Sequence, residues 1–265
     1  LLCSSLILGA VAVTAIFAKS QETPGPPVAP RIEHAEVRHG ETVADPYFWL
    51  REKSNPEVVR YLEAENAYTE AMTKGEKPFR EALYKEMLGR IKQTDLTVPV
   101  RRGKFYYYSR TEEGKQYPIY CRKAAAADRS FNDQAAEAVL LDQNEMARGL
   151  PYLGLTGLTV SDDGNLLAYG TDTTGFRQFD LHVKDLGTGR TLPDTAARVT
   201  SMEWAADNRT LFLTTEDRET KRSNQLWRLA LSGKPELVYE EKDELYILSL
   251  ARTRDRKYLL LDIHS

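Results

Sequence analysis

The side chains able to do chemistry are scattered along this sequence without the spacing that a common reaction requires. No serine stands in a Gly-x-Ser-x-Gly nucleophile elbow. The sequence also lacks a His-Glu-x-x-His zinc motif, a phosphate-binding loop and a dinucleotide glycine fingerprint. We therefore predict no catalytic residue, no cofactor-binding residue and no metal-binding residue in these 265 residues.

Three short segments approach a known binding motif, but each has a simpler structural interpretation. Asp162–Asn165 (DDGN) resembles part of a calcium loop, yet the closing Glu is missing, so a tight turn is favoured. His34 and His39 are five residues apart, which fits no common metal site, and we expect both at the surface. Arg101–Lys104 precede a run of aromatic residues, as in single-strand nucleic-acid binders, but strand alternation explains the pattern better.

Composition and charge argue against a nucleic-acid partner. The chain carries 36 Lys and Arg against 39 Asp and Glu, a formal net charge of −3. Binding to nucleic acid usually needs a clustered basic face, which this balance does not suggest. The length is enough for one large domain or two small ones with a sizeable core.

Residues 1–18 (LLCSSLILGAVAVTAIFA) are apolar or small, and the chain becomes polar at Lys19. This pattern predicts the hydrophobic part of a signal peptide, incomplete at its start, with cleavage near Ala18. An uncleaved membrane anchor and a misassigned start are the alternatives. Cleavage is favoured over an anchor because eighteen residues is at the short limit for a membrane span. We therefore expect an exported protein, periplasmic or extracellular, with a membrane-anchored or cytoplasmic one as the alternative.

Removal of this leader would leave Cys121 as the one cysteine, because Cys3 lies inside the leader. No disulfide within the chain is then possible. A single cysteine within a strand pattern is typically a buried, small apolar side chain rather than a nucleophile.

An N-terminal helical segment over residues 31–98 follows a proline-rich linker over residues 19–30. Asn55-Pro-Glu indicates a helix start, with a capping side chain, a first-turn proline and an acid at the positive end of the helix dipole. We predict one helix over residues 56–73 and a second, opened by a proline, over residues 78–93. Their apolar residues recur three and four apart, so the pair needs another surface to pack against.

The chain changes from a helical to a strand pattern after these helices. Phe105–Arg110 and Gln116–Lys123 are β-type runs separated by a polar loop with one glycine, which predicts a hairpin. Farther on, an apolar residue, a polar turn with an aspartate and a hydrophobic strand recur. The aspartates are Asp163, Asp207 and Asp255, 44 and 48 residues apart. A period of this length, with about four strands a unit, is typical of propeller blades.

Residues 99–265 are therefore predicted to form an incomplete β-propeller, and the fold class to be mainly β. The expected blades cover residues 103–143, 155–195 and 199–240, and the opening strands of a fourth follow. A closed propeller typically has four to eight blades, whereas this sequence stops after about three and a half. We expect it to be the N-terminal part of a longer protein.

Several segments resemble the N-terminal part of the prolyl oligopeptidase family of serine peptidases, in the oligopeptidase B (protease II) branch. They are Asp45–Leu50 (DPYFWL), which we expect to form a turn with buried rings, and Tyr61–Tyr68, Ile91–Leu96, Tyr107–Cys121, Asp172–Asp194 and Val199–Arg228. The DPY-x-WL pattern is shared across the wider family. The RTEEGKQYPIY and TGFRQ runs indicate the branch.

The resemblance implies an N-terminal helical segment, a propeller of seven blades and a C-terminal α/β-hydrolase domain that carries the catalytic Ser, Asp and His. In this family the propeller covers the active site and admits short peptides, and the branch cleaves after Arg or Lys. The implied partners are short basic peptides and the protein's own hydrolase domain, whose triad is absent from this sequence. Alone, the chain is expected to be inactive and to associate.

Two other functions stay open at this point. A non-enzymatic propeller could serve as a binding scaffold in the cell envelope, because the fold hosts many functions. An inactive, truncated product of the family is the other possibility. The DPYFWL lead-in favours the peptidase, since a free-standing propeller has no need of it.

Overall fold

The computed structural model of the protein describes residues 25–265, which form two compact units over residues 25–91 and 92–265. The predicted leader over residues 1–18 and the first half of the linker, residues 19–24, lie outside the described residues. The rest of the linker, residues 25–30, has no regular secondary structure. Within the described part of the chain, no helix is long and apolar enough to cross a membrane.

The first unit begins with a β-hairpin, which the sequence patterns do not predict. Its strands are β1 (Ala35–Arg38) and β2 (Glu41–Ala44), paired antiparallel. His39 and Gly40 join them with φ angles of 52° and 87°, the left-handed pair that the common two-residue hairpin turn requires. Most side chains of both strands are exposed, so the hydrophobic pattern that would reveal them is weak.

The DPYFWL segment leads into a short 3-10 helix (Phe48–Arg51), and of its three rings only that of Trp49 is buried. The indole N–H of Trp49 donates to the Pro30 carbonyl oxygen at 2.9 Å. The expectation that all three rings are buried is therefore wrong. The expected surface position is also wrong for His34, which is half-buried and stacks on Phe48 with ring centroids 3.7 Å apart.

Two helices follow and correspond to the predicted pair. α1 (Pro56–Thr73) has the predicted bounds, and the Asn55 side chain accepts a hydrogen bond from the Glu57 N–H at 3.0 Å. α2 (Lys77–Gly89) begins one residue before its predicted start and ends short of the predicted residue 93. A glycine is the last residue of α2, and glycine weakens helix continuation.

The second unit consists of four antiparallel sheets that follow one another along the chain, each with its strands in chain order. The first sheet contains β3 (Val100–Arg102), β4 (Phe105–Arg110), β5 (Ile119–Ala124) and β6 (Glu137–Asp142). A one-turn helix, α3 (Gln143–Met146), precedes the second sheet, which contains β7 (Gly154–Val160), β8 (Leu166–Asp172) and β9 (Asp180–Asp185). The third contains β10 (Val199–Trp204), β11 (Thr210–Glu216), β12 (Ser223–Ala230) and β13 (Glu236–Glu240). The fourth contains β14 (Ile247–Arg252) and β15 (Leu259–His264).

This arrangement confirms the predicted fold class, a mainly β chain with an incomplete propeller. The sheets recur at the predicted period, and the third occupies the blade predicted over residues 199–240. The second sheet has three strands, and an isolated bridge at Thr191 stands where a fourth is expected, because Pro193 has no N–H to extend the pairing. Similarly, β5 begins at Ile119, later than predicted, because Pro118 cannot donate to the ladder.

The aspartates of the sequence repeat close the turn between the first and second strands of the second, third and fourth sheets. Each accepts a hydrogen bond from a backbone N–H two or three residues farther on, Asp163 at 3.0 Å, Asp207 at 2.9 Å and Asp255 at 3.1 Å. These are Asx turns, which mimic a backbone turn through the side chain. They explain the repeat and confirm the interpretation of Asp162–Asn165 as a turn.

The largest apolar cluster lies between the second and third sheets and includes Trp204. Its side chain is fully buried, and its indole N–H donates to the Thr159 carbonyl oxygen at 3.0 Å. Because Thr159 belongs to β7 and Trp204 to β10, this bond joins adjacent sheets. The other buried members of the cluster are Ala168, Leu181, Val183, Val199, Met202, Leu211, Leu213 and Leu229. The two sheets thus bury apolar faces against each other.

The TGFRQ loop between β8 and β9 is built around the buried carboxylate of Asp172. This carboxylate accepts hydrogen bonds from the Thr174 N–H and hydroxyl at 2.8 and 2.6 Å, and from the Arg177 N–H at 2.8 Å. Burial alone would raise the pKa of Asp172, but these donors outweigh burial and lower the pKa. The ionised carboxylate therefore stabilises the loop.

Trp204→Phe should lower the free energy of unfolding by about 2–3 kcal/mol, because it leaves a cavity and an unpaired Thr159 carbonyl in the core. Urea unfolding followed by circular dichroism measures the loss. Trp227→Phe is the matched control, since Trp227 is half-buried and its indole bonds the Thr215 hydroxyl at 3.0 Å. An equal loss in both variants would contradict the role of Trp204 in joining the two sheets.

Asp172→Asn should destabilise the chain at neutral pH by about 1–3 kcal/mol, because the new amide N–H faces the Arg177 N–H and a part-buried hydrogen bond is lost. A carboxylate with a lowered pKa stabilises only while ionised. The difference in free energy of unfolding between the unaltered chain and Asp172→Asn should therefore shrink as the pH falls below about 3.9, the ordinary aspartate pKa. Unfolding measured across this pH range checks it, with exposed Asp180→Asn as the control. A difference that does not change with pH would show that the charge of Asp172 contributes nothing.

Candidate functional site

The first strands of the second, third and fourth sheets are neighbours in the second unit. β10 of the third sheet lies against β7 of the second and against β14 of the fourth. In a propeller the blades surround a central channel, and the strands that meet in this way border it. The side chains at the ends of these strands therefore lie close to the axis of the propeller.

A charged side chain lies within two residues of the carboxyl end of each of the four first strands. These residues are Arg102 at the end of β3, Asp162 in the turn after β7, Glu203 near the end of β10, and Arg252 at the end of β14. Together with Arg256 from the turn after β14, we call them the axial charge cluster. The cluster contains three cations and two carboxylates.

Asp162 is bound by both arginines of the fourth sheet. Arg252 donates through two nitrogens, Nη1 to Oδ1 at 3.0 Å and Nη2 to Oδ2 at 2.8 Å, and Arg256 Nε lies 2.6 Å from Oδ1. Such a fork is the strong, directional form of the arginine–carboxylate pair. The side chains of Arg252 and Asp162 are 6% and 30% exposed, so water and salt screen the pair less than they screen a surface pair.

The Glu203 carboxylate is half-buried and is influenced by the other four charges of the cluster. Burial raises the pKa of Glu203. The positive charges of Arg256, Arg252 and Arg102 oppose this rise, and the negative charge of Asp162 adds to it. The pKa is therefore above its ordinary value although three arginines are near, because desolvation of the carboxylate outweighs their attraction.

The turn that contains Asp162 contacts all three other sheets of the second unit. The Gly164 carbonyl oxygen accepts a hydrogen bond from Arg122 of the first sheet at 2.5 Å. The Asp163 N–H donates to the Asn208 side chain of the third sheet at 3.0 Å, and Asp162 binds the fourth sheet. A cavity of about 570 Å³ lies between this turn and the β3–β4 hairpin.

This arrangement joins the second sheet to the fourth through ion pairs. Nucleophilic catalysis needs a serine, cysteine or similar group within hydrogen-bond reach of a base, and the axial charge cluster has no such nucleophile. Among residues 25–265, no group of three His, Cys, Asp or Glu side chains is placed to hold a metal ion.

Of the residues singled out in the sequence, Asp162 and Arg102 belong to the axial charge cluster, whereas Cys121, His34 and His39 lie outside it. Cys121 is 1% exposed in the first sheet, and burial raises its pKa to about 12, so the reactive thiolate hardly forms at neutral pH. This confirms the interpretation of Cys121 as a small apolar core residue. His34 stacks on Phe48 and His39 occupies an exposed hairpin turn, so the two imidazoles serve different local contacts.

The sequence does not reveal that Glu203, Arg252 and Arg256 are neighbours of Asp162. The one sequence feature that could have indicated this proximity is the repeat, which aligns the turns after β7, β10 and β14. The charges near these turns differ in sign, so no repeated motif marks them. Packing alone brings together two residues that are 90 positions apart.

The fold and its repeat can now be compared with known proteins. The family profile described as "Prolyl oligopeptidase, N-terminal beta-propeller domain" matches residues 27–265. The chain belongs to the prolyl oligopeptidase family. This confirms the resemblance carried by the DPYFWL and TGFRQ segments, and the matched part of the family is the propeller domain, as predicted.

Relatives and solved structures agree with this assignment. The chain is 37% identical over 280 residues to dipeptidyl aminopeptidase BI of Pseudoxanthomonas mexicana. This alignment covers 100% of the chain and 38% of the relative. The chain is 38% identical over 241 residues to Protease 2 of Moraxella lacunata. This second alignment covers 89% of the chain and 35% of the relative. Oligopeptidase B from Leishmania major matches with a TM-score of 0.80 at 27% identity, over 91% of the chain and 36% of that structure.

The predicted branch is confirmed by these matches. A second structure, oligopeptidase B from Trypanosoma brucei, matches with a TM-score of 0.79 at 25% identity, over 91% of the chain and 36% of that structure. The chain spans little more than a third of the length of the relatives that it matches.

In a Cys3→Ser variant, which leaves Cys121 as the one thiol, a thiol-specific reagent should react about 100-fold more slowly with the native chain than with the chain in urea. The physical reason is that Cys121 is buried and its thiolate is disfavoured. The absorbance of the released reagent group measures both rates. Equal rates in the native and unfolded chain would contradict the assignment of Cys121 to the core.

Proposed function

We propose that this chain is the propeller part of a serine oligopeptidase that hydrolyses short peptides after Arg or Lys. The observation that carries the proposal is the match to oligopeptidase B, with a TM-score of 0.80 over 91% of the chain. Protease 2, at 38% identity, supports the same activity class.

The chain would act by restricting access rather than by chemistry. Peptide cleavage in such an enzyme is acyl transfer, in which a serine activated by histidine and aspartate attacks the scissile carbonyl. Those groups would come from an α/β-hydrolase domain joined to the propeller. The contribution of the propeller is steric, since an extended peptide fits a channel that a folded protein cannot enter.

The apolar face of α2 supports a partner domain in the same protein. Phe79, Leu83 and Met87 of α2 recur four residues apart and are 69%, 42% and 58% exposed, and Ile91, two residues after the end of the helix, continues the spacing and is 61% exposed. A stripe of this kind is larger than the isolated apolar residues that a soluble surface normally carries, and it promotes association. We propose that the hydrolase domain covers it in the whole protein.

Release of dipeptides is a second candidate, because the relative that covers 100% of the chain is named a dipeptidyl aminopeptidase. The two activities differ in what they need at the amino terminus of the substrate. A dipeptidyl aminopeptidase acts next to a free amino terminus, whereas an oligopeptidase accepts a blocked one. A peptide with a blocked amino terminus therefore separates the two candidates.

We also propose that the protein is exported. The support is the apolar leader over residues 1–18, followed by Lys19. N-terminal sequencing of the mature protein from its own cells tests this proposal. A terminus close to Ala18 supports export with cleavage, and a terminus that retains the leader argues for an anchored or cytoplasmic protein.

The full-length gene product should hydrolyse a blocked arginyl reporter peptide about 100-fold faster than the matched glutamyl reporter, since basic side chains are selected by charge. The 265-residue chain alone should hydrolyse neither, because no Gly-x-Ser-x-Gly nucleophile elbow occurs in its sequence and the triad is expected in the hydrolase domain. Fluorescence of the released reporter measures both rates. Equal rates on the two reporters would contradict the Arg and Lys preference, and cleavage of unblocked peptides alone would favour the dipeptidyl candidate.

A further inference from the structure

We propose that Asp162, Arg252 and Arg256 form a latch that sets the width of the axial opening, and with it the size of the peptide that can pass. We call these three residues the axial latch. The effect on peptides rests on the proposed function, whereas the latch itself rests on the contacts within the second unit.

The axial latch joins the second sheet to the fourth, and the third sheet lies between these two along the chain. Asp162 follows β7 and Arg252 ends β14, 90 residues later. The bond from Trp204 to Thr159, by contrast, joins two sheets that are already neighbours. A contact between sheets that are not adjacent constrains the angle across the sheet that lies between them. Breaking such a contact changes the spacing of the first strands without removing the core that holds each pair of sheets together.

Burial and geometry make this latch stronger than a surface ion pair. The Arg252 side chain is 6% exposed and also donates to the Arg256 carbonyl oxygen, from Nε at 3.0 Å and from Nη2 at 2.6 Å. These bonds hold the guanidinium group in the orientation in which both of its outer nitrogens reach Asp162. Little side-chain freedom is then lost when the ion pair forms.

The charge balance of the latch depends on Asp162. Within residues 25–265, it is the one carboxylate that either Arg252 or Arg256 contacts as an ion pair. Its neutralisation would leave three arginines, Arg102, Arg252 and Arg256, with Glu203 as the one remaining carboxylate of the cluster. Like charges that are shielded from water repel strongly, so the ends of β7 and β14 would separate.

Separation of these strand ends would widen the passage at the axis. The cavity of about 570 Å³ beside the turn is lined by Arg102, Asp162 and Arg256, so it would join the widened passage. The one carboxylate of the latch, Asp162, is ion-paired to both arginines, and its loss should change which peptides pass and not the chemical step.

Hydrogen exchange followed by mass spectrometry tests the latch in the chain itself. In Asp162→Asn, the amides of β14 and of the turn after β7 should exchange about tenfold faster, because a largely buried ion pair is broken. Asp133→Asn is the matched control, since Asp133 is 81% exposed and lies 3.7 Å from Lys123. Its exchange should stay within about twofold of the unaltered chain.

A second variant keeps the test decisive if Asp162→Asn folds poorly. Arg252→Lys retains the positive charge but loses the two-nitrogen fork, so its increase in exchange should be intermediate. The same segments of the chain are compared in both variants.

The length preference of the full-length enzyme tests the consequence for peptides. For one cleavage site, Asp162→Asn should raise kcat/KM on a long unstructured peptide, relative to a short reporter, by about threefold or more. The value of kcat on the short reporter should stay unchanged, which a general loss of stability would not produce. Asp133→Asn should leave the ratio unaltered.

The possible results separate the latch from the proposed function. Unchanged exchange in Asp162→Asn would overturn the latch. Faster exchange with an unchanged length ratio would overturn its role in substrate size and leave the peptidase assignment intact. If the unaltered enzyme cleaves no basic peptide, the proposed function fails, and the exchange result by itself supports or overturns the latch.

Discussion

The packing of one sheet's apolar face against the next sheet is the interaction on which the rest of the structure depends. A short antiparallel meander cannot bury its apolar surface alone and is stable only against a neighbour. Trp204 shows how close this packing is, because its side chain is fully buried and its indole N–H reaches the backbone of the adjacent sheet. The same packing fixes the spacing of the first strands. That spacing places their charged ends together.

The axial charge cluster is a consequence of this packing, and it links the fold to the proposed function. Removing Arg252 from water is costly unless a partner is present, and Asp162 supplies that partner with two hydrogen bonds. Glu203 responds to partial burial with a raised pKa. The axial end of the sheets is therefore polar and ordered. These properties suit the role proposed for the propeller, which is to exclude folded proteins rather than to bind one ligand.

The first unit follows a different principle, because local contacts build its elements and much of its apolar surface stays exposed. The Asn55 cap begins α1, and the indole of Trp49 holds the chain at Pro30. Phe79 and Met87 of α2, however, remain exposed by more than half. The sheets of the second unit bury their apolar faces on one another, and α2 does not. This difference is the physical basis for proposing that a further domain covers the helix.

The sequence by itself determined the helix over Pro56–Thr73, the blade period and the family, because capping, Asx turns and alternation act over a few residues and leave local patterns. It did not indicate the hairpin at His39, since short exposed strands carry little hydrophobic pattern. Only the tertiary structure decided that Asp162 and Arg252 meet. Their contact joins residues 90 positions apart and depends on the angle at which successive sheets pack, which no local pattern in the chain encodes.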